Sequence, residues 1–447
     1  MTTTWPDPRD LSAVSVPVDD ALPADLFDLV TGVDALLSGP ELTLLGCGTA
    51  ATLTLAGGLD GANVREAAAW LAQVPHDVQP GVHRARVTAL GALPFEREAE
   101  GRLVVPELLV GLDVEGDCWL TTLGPPGRSI PTAAALVASA RERSNRAART
   151  PLLAPAGLDR EDSPVAGARS VERIPDADGY RQCVGSALAR IQAGSLSKVV
   201  LARSLIVRLA NEPSLTAILK QLRADEPGCV VFSFPTPHGT FFGASPELLV
   251  RRRGRDVTAV PLAGTMATGP GPAGSSSTEH PLTRSDKDRL EHDFVVDAVV
   301  AALAPHCERV ALPEGTVLVT LGSLVHLGTR VSGTLRSGSE QSALELAAAL
   351  HPTPAVGGVP REAALRVIAT LEPRSREHWA GPVGWVDATG DGDWMIGIRS
   401  ATVEGATVTL TAGAGIVEGS DPDEELQETS MKLRPLVDAC CPGIVAP

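Results

Sequence analysis

Residues 411–433 read TAGAGIVEGSDPDEELQETSMKL, a run of small residues that leads into a charged helix. Gly413 and Gly415 allow the backbone to approach a ligand closely, because glycine has no Cβ. Ser420 is the predicted N-cap of the helix, and Pro422 suits its first turn. The segment therefore predicts a strand end with little side-chain bulk, followed directly by a helix start.

The predicted helix carries Glu425, Glu428 and Lys432 at spacings of three and four residues, which place all three on one face. One interpretation is a solvated helix face with a single ion pair. The other is a pair of carboxylates that holds a hard cation beside a backbone that admits a small anion. The choice between these two interpretations depends on residues elsewhere in the chain.

Charge and composition limit the partners of the 447-residue chain. Its hydrophobic content of 44% is ample for a large core. The net charge of −16 argues against nucleic acid or an anionic membrane as partner, because both require a basic surface. An anionic substrate would need a local cation or metal to reverse this field. No stretch is long and apolar enough to span a bilayer.

The seven cysteines are scattered, odd in number and without a CxxC pair. The N-terminal residues MTTTWPDPRD are polar and lack an apolar signal core. We therefore expect reduced thiols, a cytoplasmic location and no structural zinc.

The pattern of elements predicts an α+β fold. Residues 1–150 contain short strands and one helix at 64–74, and no charged cluster with chemical spacing, so we expect them to be mainly scaffold. Residues 149–174 are linker-like, with Pro, Gly and mixed charge. The second half alternates amphipathic helices with antiparallel hairpins and has no βαβ repetition. Its predicted helices include residues 176–194, 214–228, 285–307 and 361–372. Its predicted strands include residues 197–209 and a hairpin at 229–254.

The helix predicted at 285–307 has an apolar stripe, with Glu291 beside it in the first turns. The stripe consists of Leu290, Phe294, Val295, Ala298 and Val299.

Two side chains have the chemistry of an acid–base pair. Lys198 begins an apolar strand, where it either reaches solvent or is desolvated. Desolvation disfavours the charged ammonium and would make the neutral amine a usable base. Glu247 follows Gly-Ala-Ser-Pro, where it is either an exposed turn carboxylate or a carboxyl kept protonated as a general acid.

Four further residues are candidates for a functional site. Glu291 and Glu428, from distant helices, are either unrelated surface carboxylates or ligands of Mg²⁺. His326, in the apolar run LVHLGT, is either a satisfied core histidine or a substrate ligand. Arg399 follows the apolar run MIGI and would be unusual in a sheet unless it meets a carboxylate.

Eight segments are distinctive together: KVVLAR, FGASPELLV, PLAGT, SDKDRLEHDFVVDAV, LGSLVHLGT, LHPTPAVGGVPR, WMIGIRSA and AGAGIVEGSDPDEELQETSMKL. Their sequences resemble those of the chorismate-utilising enzymes, which include isochorismate, salicylate, anthranilate and aminodeoxychorismate synthases. The resemblance implies a single domain over residues 1–447, with a variable first part (1–150) and a chorismate-binding region (170–440). It also implies two antiparallel sheets in a sandwich-like core flanked by helices, with the active site in the cleft between them.

The resemblance also assigns roles. Lys198 resembles the base that activates water for attack at C2 of chorismate, and Glu247 resembles the acid that protonates the departing C4 hydroxyl. Glu291 and Glu428 resemble the Mg²⁺ ligands, with Glu425 as a second contact. The residues expected to contact the substrate are Gly264, Thr265, His326, Ala355, Trp379, Arg399, Gly413, Ala414, Gly415 and Lys432.

Two positions narrow the expected activity. Members of the family that use ammonia lack a lysine at position 198, so Lys198 favours water as the nucleophile. At the position of Ala355, salicylate synthases have Thr and isochorismate synthases have Ala. By this resemblance, Ala355 favours release of isochorismate. The resemblance therefore implies a Mg²⁺-dependent isochorismate synthase, with salicylate synthase as the alternative and a non-catalytic chorismate-binding homologue as a distant one.

The same resemblance implies a monomer without a glutamine amidotransferase subunit. It allows a place in either menaquinone or siderophore biosynthesis.

Overall fold

The computed structural model describes residues 5–18, 27, 34–127, 168–267, 280–322, 324–338, 341–442 and 444. Most of the linker-like stretch predicted at 149–174 therefore lies outside the described residues.

The helices of the described residues are α1 (Gly61–Ala72), α2 (Ala177–Gln192), α3 (Leu215–Asp225), α4 (Pro281–Arg284), α5 (Asp286–Leu303), α6 (Ala343–Leu350), α7 (Arg361–Leu371) and α8 (Pro422–Cys440). The strands are β1 (Ser12–Pro17), β2 (Ala35–Ser38), β3 (Leu42–Cys47), β4 (Ala51–Leu55), β5 (His76–Val78), β6 (Thr88–Ala92), β7 (Gly101–Val105), β8 (Leu108–Asp113), β9 (Cys118–Gly124), β10 (Ala168–Ile174), β11 (Lys198–Leu209), β12 (Val230–Thr236), β13 (Gly239–Ser245), β14 (Leu248–Arg253), β15 (Asp256–Val260), β16 (Leu262–Ala267), β17 (Cys307–Ala311), β18 (Thr316–Leu321), β19 (Leu324–Thr329), β20 (Val331–Leu335), β21 (Gly358–Val359), β22 (Pro382–Asp387), β23 (Gly392–Ile396), β24 (Ser400–Glu404) and β25 (Thr407–Ile416).

The larger of the two main sheets has the order β10-β11-β25-β24-β13-β12-β2-β3-β8-β9-β1-β5, with β21 paired to β11. Its pairs are antiparallel except for β1 with β5. Near one edge of this sheet β11 pairs with β25, and in this pair Val200 lies opposite Gly415 and Ala202 opposite Gly413. This register brings the strand that begins at Lys198 alongside the glycine-rich strand end.

The second main sheet has the order β17-β20-β15-β14-β23-β22-β6-β7-β4, and all its pairs are antiparallel. A third, three-stranded sheet of β16, β19 and β18 is separate from both. It carries Gly264, Thr265 and His326, with Thr265 opposite His326.

The two main sheets pack against each other through apolar side chains. Leu37 and Leu44 of the first sheet share one buried cluster with Leu90 and Val383 of the second. This arrangement confirms the predicted α+β fold with a sandwich-like core of antiparallel sheets. The third sheet is an addition that the sequence did not predict.

Strands from both halves of the chain take part in both main sheets. In the first sheet, β2 lies next to β12, with Leu37 opposite Phe232. In the second sheet, β6 lies next to β22, with Leu90 opposite Trp385. Strands of the first half therefore pair with strands of the second half in both main sheets.

The helix predicted at 285–307 is shorter and turned relative to the prediction. It ends at Leu303, and Cys307 already begins β17. Leu290 is 41% exposed, whereas Glu291 and His292 lie on the buried face. The predicted stripe was wrong at Leu290, because polar residues occupy positions where the buried face meets the cavity described below.

The start of α8 differs by one residue from the prediction. Asp421, not Ser420, is the N-cap, and its carboxylate accepts hydrogen bonds from the amides of Asp423 and Glu424. The Ser420 hydroxyl instead accepts a hydrogen bond from the Val417 amide at 3.2 Å. An Asp directly before Pro422 is the stronger cap, since its charge also complements the helix dipole.

None of the helices in the described part of the chain is both long enough and apolar enough to cross a membrane.

Candidate active site

A cavity with about 640 Å³ of space not filled by atoms, partly open to solvent, lies where β11, β25, β16, α5 and the turn after β13 meet. Its walls combine apolar side chains with several charged groups, as expected for a small-molecule site. Of the residues predicted from the sequence, those that line it are Glu247, Gly264, Thr265, Glu291, His326, Ala355, Trp379, Arg399, Gly413, Gly415 and Lys432.

Lys198 is fully buried at the start of β11, and its ammonium lies 3.1 Å from the Glu291 carboxylate. Within the described part of the chain, this ion pair is not aligned as a hydrogen bond, and Nζ has no other hydrogen-bond partner there. Burial opposes ionisation of Glu291, but the charges of Lys198, Lys432 and Lys287 outweigh it and lower its pKa. The pair thus places an ionised carboxylate at the cavity with a lysine directly behind it.

Gly415 makes this pair possible. A Cβ at position 415 would lie 2.0 Å from Oε1 of Glu291 and 3.2 Å from Cε of Lys198. The sequence suggested that the glycines admit a ligand, and the structure shows a more specific reason at this one. Gly415 leaves the space into which the Glu291 carboxylate fits.

Glu247 lies in the turn between β13 and β14, held by the protein backbone. Its Oε1 accepts a long hydrogen bond of 3.4 Å from the Leu262 amide, and its own carbonyl accepts one from the Ile396 amide. Burial raises the pKa of Glu247 to about 8, against the opposing effects of the Leu262 amide and the Lys198 charge. At neutral pH the group therefore holds a proton that it can donate into the cavity.

His326 and Arg399 form a second polar pair on the cavity wall. Nδ1 of His326 lies 3.1 Å from the Gly264 carbonyl and 3.2 Å from the Thr265 hydroxyl, and Nε2 lies 3.2 Å from Nη2 of Arg399. A carbonyl and a guanidinium fix the tautomer, because Nδ1 must donate to the first and Nε2 must accept from the second. Burial, followed by the Arg399 charge, lowers the pKa of His326 to about 3, so the ring is neutral.

Arg399 occupies the connection between β23 and β24 in a left-handed conformation, with φ of +50°. Non-glycine residues rarely adopt this region, and it recurs at functional sites. Burial lowers the pKa of the guanidinium, which nevertheless stays charged at neutral pH. The backbone thus directs a permanent cation at the cavity.

The charged face of α8 lies beside the same cavity, with each carboxylate paired to a lysine. Glu428 lies 2.5 Å from Lys432, whose ammonium also donates to the Gly413 carbonyl at 3.1 Å. Glu425 is buried and lies 2.6 Å from Lys287 of α5. Burial, followed by the charge of Glu428, raises the pKa of Glu425 to about 7. The interpretation as a wholly solvated helix face is therefore wrong at Glu425.

The donor set has the chemistry that Mg²⁺ prefers, since Glu291, Glu425 and Glu428 supply carboxylate oxygens. Three ion pairs, with Lys198, Lys287 and Lys432, balance these carboxylates. Glu291 and Glu425 are buried and Glu428 is half-buried, so these residues fit a cation that would share their oxygens with the lysines. Magnesium ligation by these residues stays a prediction.

A different acidic group has its ligand atoms closer together, within 4.8 Å: Asp113, Glu115 and Asp117 in the β8–β9 turn. Asp113 there accepts hydrogen bonds from the amides of Glu115 and Asp117 and lies 3.3 Å from Arg84. We interpret this group as turn stabilisation.

Some predicted site residues do not line the cavity. Ala414 is buried between Gly413 and Gly415, and strand alternation turns its side chain to the opposite face. Lys198 and Glu428 contact the lining through Glu291 and Lys432, whereas Glu425 pairs with Lys287, which does not line the cavity. The prediction of Ala414 as a substrate contact therefore finds no support in its side chain.

The sequence reasoning missed the apolar walls and one lysine. Val200, Leu262, Val356 and Ile398 line the cavity, and each is close in sequence to a predicted residue. Their positions in strands and turns beside those residues were the signal that could have identified them. Lys287, one turn before Glu291 on α5, is the partner of Glu425.

Comparison with known proteins agrees with this geometry. The model of the chorismate binding enzyme family matches residues 25–441. Isochorismate synthase DhbC of Bacillus subtilis is 36% identical over 363 residues, which are 80% of this chain and 81% of that protein. The chain is also similar to the crystal structure of DhbC from Bacillus anthracis, with a TM-score of 0.73 and 30% identity over 93% of this chain and 99% of that one.

The structure of MenF, the menaquinone-specific isochorismate synthase from Escherichia coli, has the same fold. Its TM-score is 0.75 at 24% identity, with 98% of this chain and 96% of that chain covered. The match of the family over almost the whole described core, together with the likeness to DhbC, shows that this chain belongs to the chorismate binding enzymes.

Proposed function

We propose that the chain is an isochorismate synthase that converts chorismate to isochorismate with Mg²⁺. The observation that carries the proposal is that a buried lysine and a protonated carboxyl lie at the same cavity. Lys198 lies behind the wall at Glu291, and Glu247, with a pKa of about 8, lines the same space. The chain's 36% identity to isochorismate synthase DhbC supports the same activity.

The residues divide the reaction between them. Lys198, once neutral, takes a proton from water as the water oxygen bonds to C2 of chorismate. The double bonds shift, the C4–O bond breaks, and Glu247 gives its proton to the departing hydroxyl, which leaves as water. One water is consumed and one is released, so the product is an isomer of the substrate.

The cationic groups bind and orient the substrate. Arg399, held by His326, and Lys432, held by the Gly413 carbonyl, present fixed positive charge to a dianion in a protein of net charge −16. Mg²⁺, held by Glu291 and Glu428 with Glu425 beside them, would neutralise the C1 carboxylate of chorismate.

Product analysis tests the proposal. We expect the full chain, incubated with chorismate and Mg²⁺, to form isochorismate, which chromatography and NMR separate from the isomeric substrate. Addition of EDTA should stop the conversion, and excess Mg²⁺ should restore it. Salicylate with pyruvate would instead identify the lyase alternative, and unchanged chorismate would contradict both.

We also propose that the chain works as a cytoplasmic monomer, as the resemblance implies. The names of its relatives divide between menaquinone and 2,3-dihydroxybenzoate specificity. Either route could consume the proposed product.

A further inference from the structure

Arg376 is a buried arginine that does not line the cavity but binds two of its walls. It lies between α7 and β22, and its side chain is 2% exposed. Nη1 donates a hydrogen bond of 2.6 Å to the Val356 carbonyl, and Nη2 donates one of 2.8 Å to the Val200 carbonyl. Val200 belongs to the strand that begins at Lys198, and Val356 follows Ala355, so one guanidinium joins these two walls.

The faces of the same guanidinium contact two aromatic rings. Its central carbon lies 4.4 Å from the ring centre of Phe95 and 5.0 Å from that of Trp379. Trp379 is a cavity wall in its own right, and its ring presses on the glycine-rich strand. A Cβ at Gly413 would lie 2.9 Å from Cη2 of that ring. Arg376 thus contacts a third wall, through stacking.

Glu372 fixes the orientation of the guanidinium. Its Oε2 accepts a hydrogen bond of 2.8 Å from Nε of Arg376, and its Oε1 accepts one from Nη2. Oε1 also accepts a hydrogen bond of 2.8 Å from the Ala202 amide of β11. All the guanidinium nitrogens are therefore engaged, in a planar fork that a lysine cannot reproduce.

We propose that Arg376 is a positioning residue that sets the separation of the Val200, Val356 and Trp379 walls, with Glu372 as its anchor. Its two hydrogen bonds to main-chain carbonyls fix the backbone beside Lys198 and Ala355. Its stacking fixes the ring that packs on Gly413. This inference rests on the proposed function, since the walls are those of the chorismate cavity.

The test compares two arginines replaced by lysine in the full chain. Arg376→Lys should lower kcat/KM for isochorismate formation roughly tenfold to hundredfold, because small displacements of substrate-positioning walls cost that much. The control is Arg97→Lys. Arg97 donates to the carbonyls of Ala348 and His351, which do not line the cavity. The Arg97→Lys variant should lose thermal stability to a similar degree but keep the kcat/KM of the wild-type chain.

A purely structural role for Arg376 predicts that the loss of kcat/KM follows the loss of stability in both variants. The proposal would be overturned if Arg376→Lys and Arg97→Lys had equal melting temperatures and lost kcat/KM equally. A wild-type kcat/KM in Arg376→Lys would overturn it too. If Arg376→Lys does not fold, Glu372→Gln carries the test. It keeps the shape of the anchor but removes its charge, and a wild-type kcat/KM in that variant would also overturn the proposal.

The outcome can be separated from failure of the proposed function. If the wild-type chain binds chorismate but forms no isochorismate, the function is wrong, and the inference is judged by calorimetric affinity. Weaker chorismate binding in Arg376→Lys than in Arg97→Lys then supports the positioning role. Equal affinity in the two variants overturns it.

Discussion

Lys198 is fully buried, and among the described residues the Glu291 carboxylate is the charged group that lies beside it. A buried charged group that loses its only partner is costly, which is why such a pair persists in a core. The same isolation suits a base, because little competes with the water that it must deprotonate. Replacement of Lys198 therefore affects both the stability of the ion pair with Glu291 and the supply of a base.

We expect Lys198→Met to abolish isochorismate formation, with a loss of at least about a hundredfold in kcat, while chorismate still binds. Methionine keeps the apolar stem but removes the base. It also removes the charge that lowers the pKa of Glu291. The measurements are turnover, calorimetric chorismate affinity and circular dichroism. Lys220→Met, on α3, is the control that should retain turnover, and an active Lys198→Met enzyme would remove Lys198 from the role of base.

Glu247 predicts an alkaline limit to activity. Its carboxyl pKa is about 8, raised by burial, so the proton that it donates is present below pH 8 and lost above it. We expect kcat/KM to fall as pH rises through about 8, approaching tenfold per pH unit. Glu247→Gln should lose about a hundredfold or more in kcat, and its residual rate should lack this limb. The same limb in Glu247→Gln would assign it to another group.

The side chains of the site could be predicted from the sequence, but their pairings could not. Lys198, Glu247, Glu291 and Arg399 were identified from their local sequences. The structure brings Glu247, Glu291 and Arg399 to one cavity and places Lys198 directly behind Glu291. The partnership of Lys287 with Glu425 depends on how α5 and α8 face each other. Local sequence carries no information about such a long-range contact.

At the scale of single elements, β25 and α5 have to approach each other closely at Gly415. The space that a Cβ would take is occupied by the Glu291 carboxylate. A side chain there would force Glu291 to rotate and separate it from Lys198. The strand therefore contributes to the site by what it lacks.

We expect Gly415→Ala to lower kcat roughly tenfold to hundredfold and to weaken the response to Mg²⁺, because it displaces the Glu291 carboxylate. Steady-state kinetics across a Mg²⁺ titration measure both effects. The control is Gly185→Ala in α2, where an added Cβ meets nothing within 4 Å. That substitution should stabilise the helix by up to about 1 kcal/mol and leave turnover unchanged. Wild-type kinetics in Gly415→Ala would show that the carboxylate can move without loss.

The errors in the predicted elements have physical causes at the same scale. The predicted stripe on α5 assumed that every buried position is apolar, but Glu291 and His292 are buried because they have polar partners. The predicted cap at Ser420 was one residue early, because Asp421 at the adjacent position caps the helix and its charge also complements the helix dipole. Pattern reasoning locates a helix better than it locates its end or its exact face.

Across the whole molecule, the first half completes both sheets of the second half. The strands β2 and β6 cover β12 and β22, and without them apolar strand edges such as those at Phe232 and Trp385 would be open. Hairpins were predictable because their strands are adjacent in sequence. The pairing of β2 with β12 was not, because nearly half the chain separates them.

A fragment of residues 168–447 is therefore expected not to fold on its own, although it contains every residue assigned to the site. It should show no cooperative thermal transition by circular dichroism and no turnover. It should also be digested rapidly by proteases. The full chain is the control and should unfold in a single transition. A fragment that unfolds cooperatively and forms isochorismate would show that residues 1–167 are dispensable.

The left-handed backbone at Arg399 bears on how the protein could be engineered. A non-glycine residue in that conformation costs on the order of 1–3 kcal/mol, which glycine would largely avoid. A library screened only for heat resistance would therefore favour glycine at position 399 and discard the guanidinium. Selection for durability and selection for turnover oppose each other at this residue, so a useful screen has to score both together.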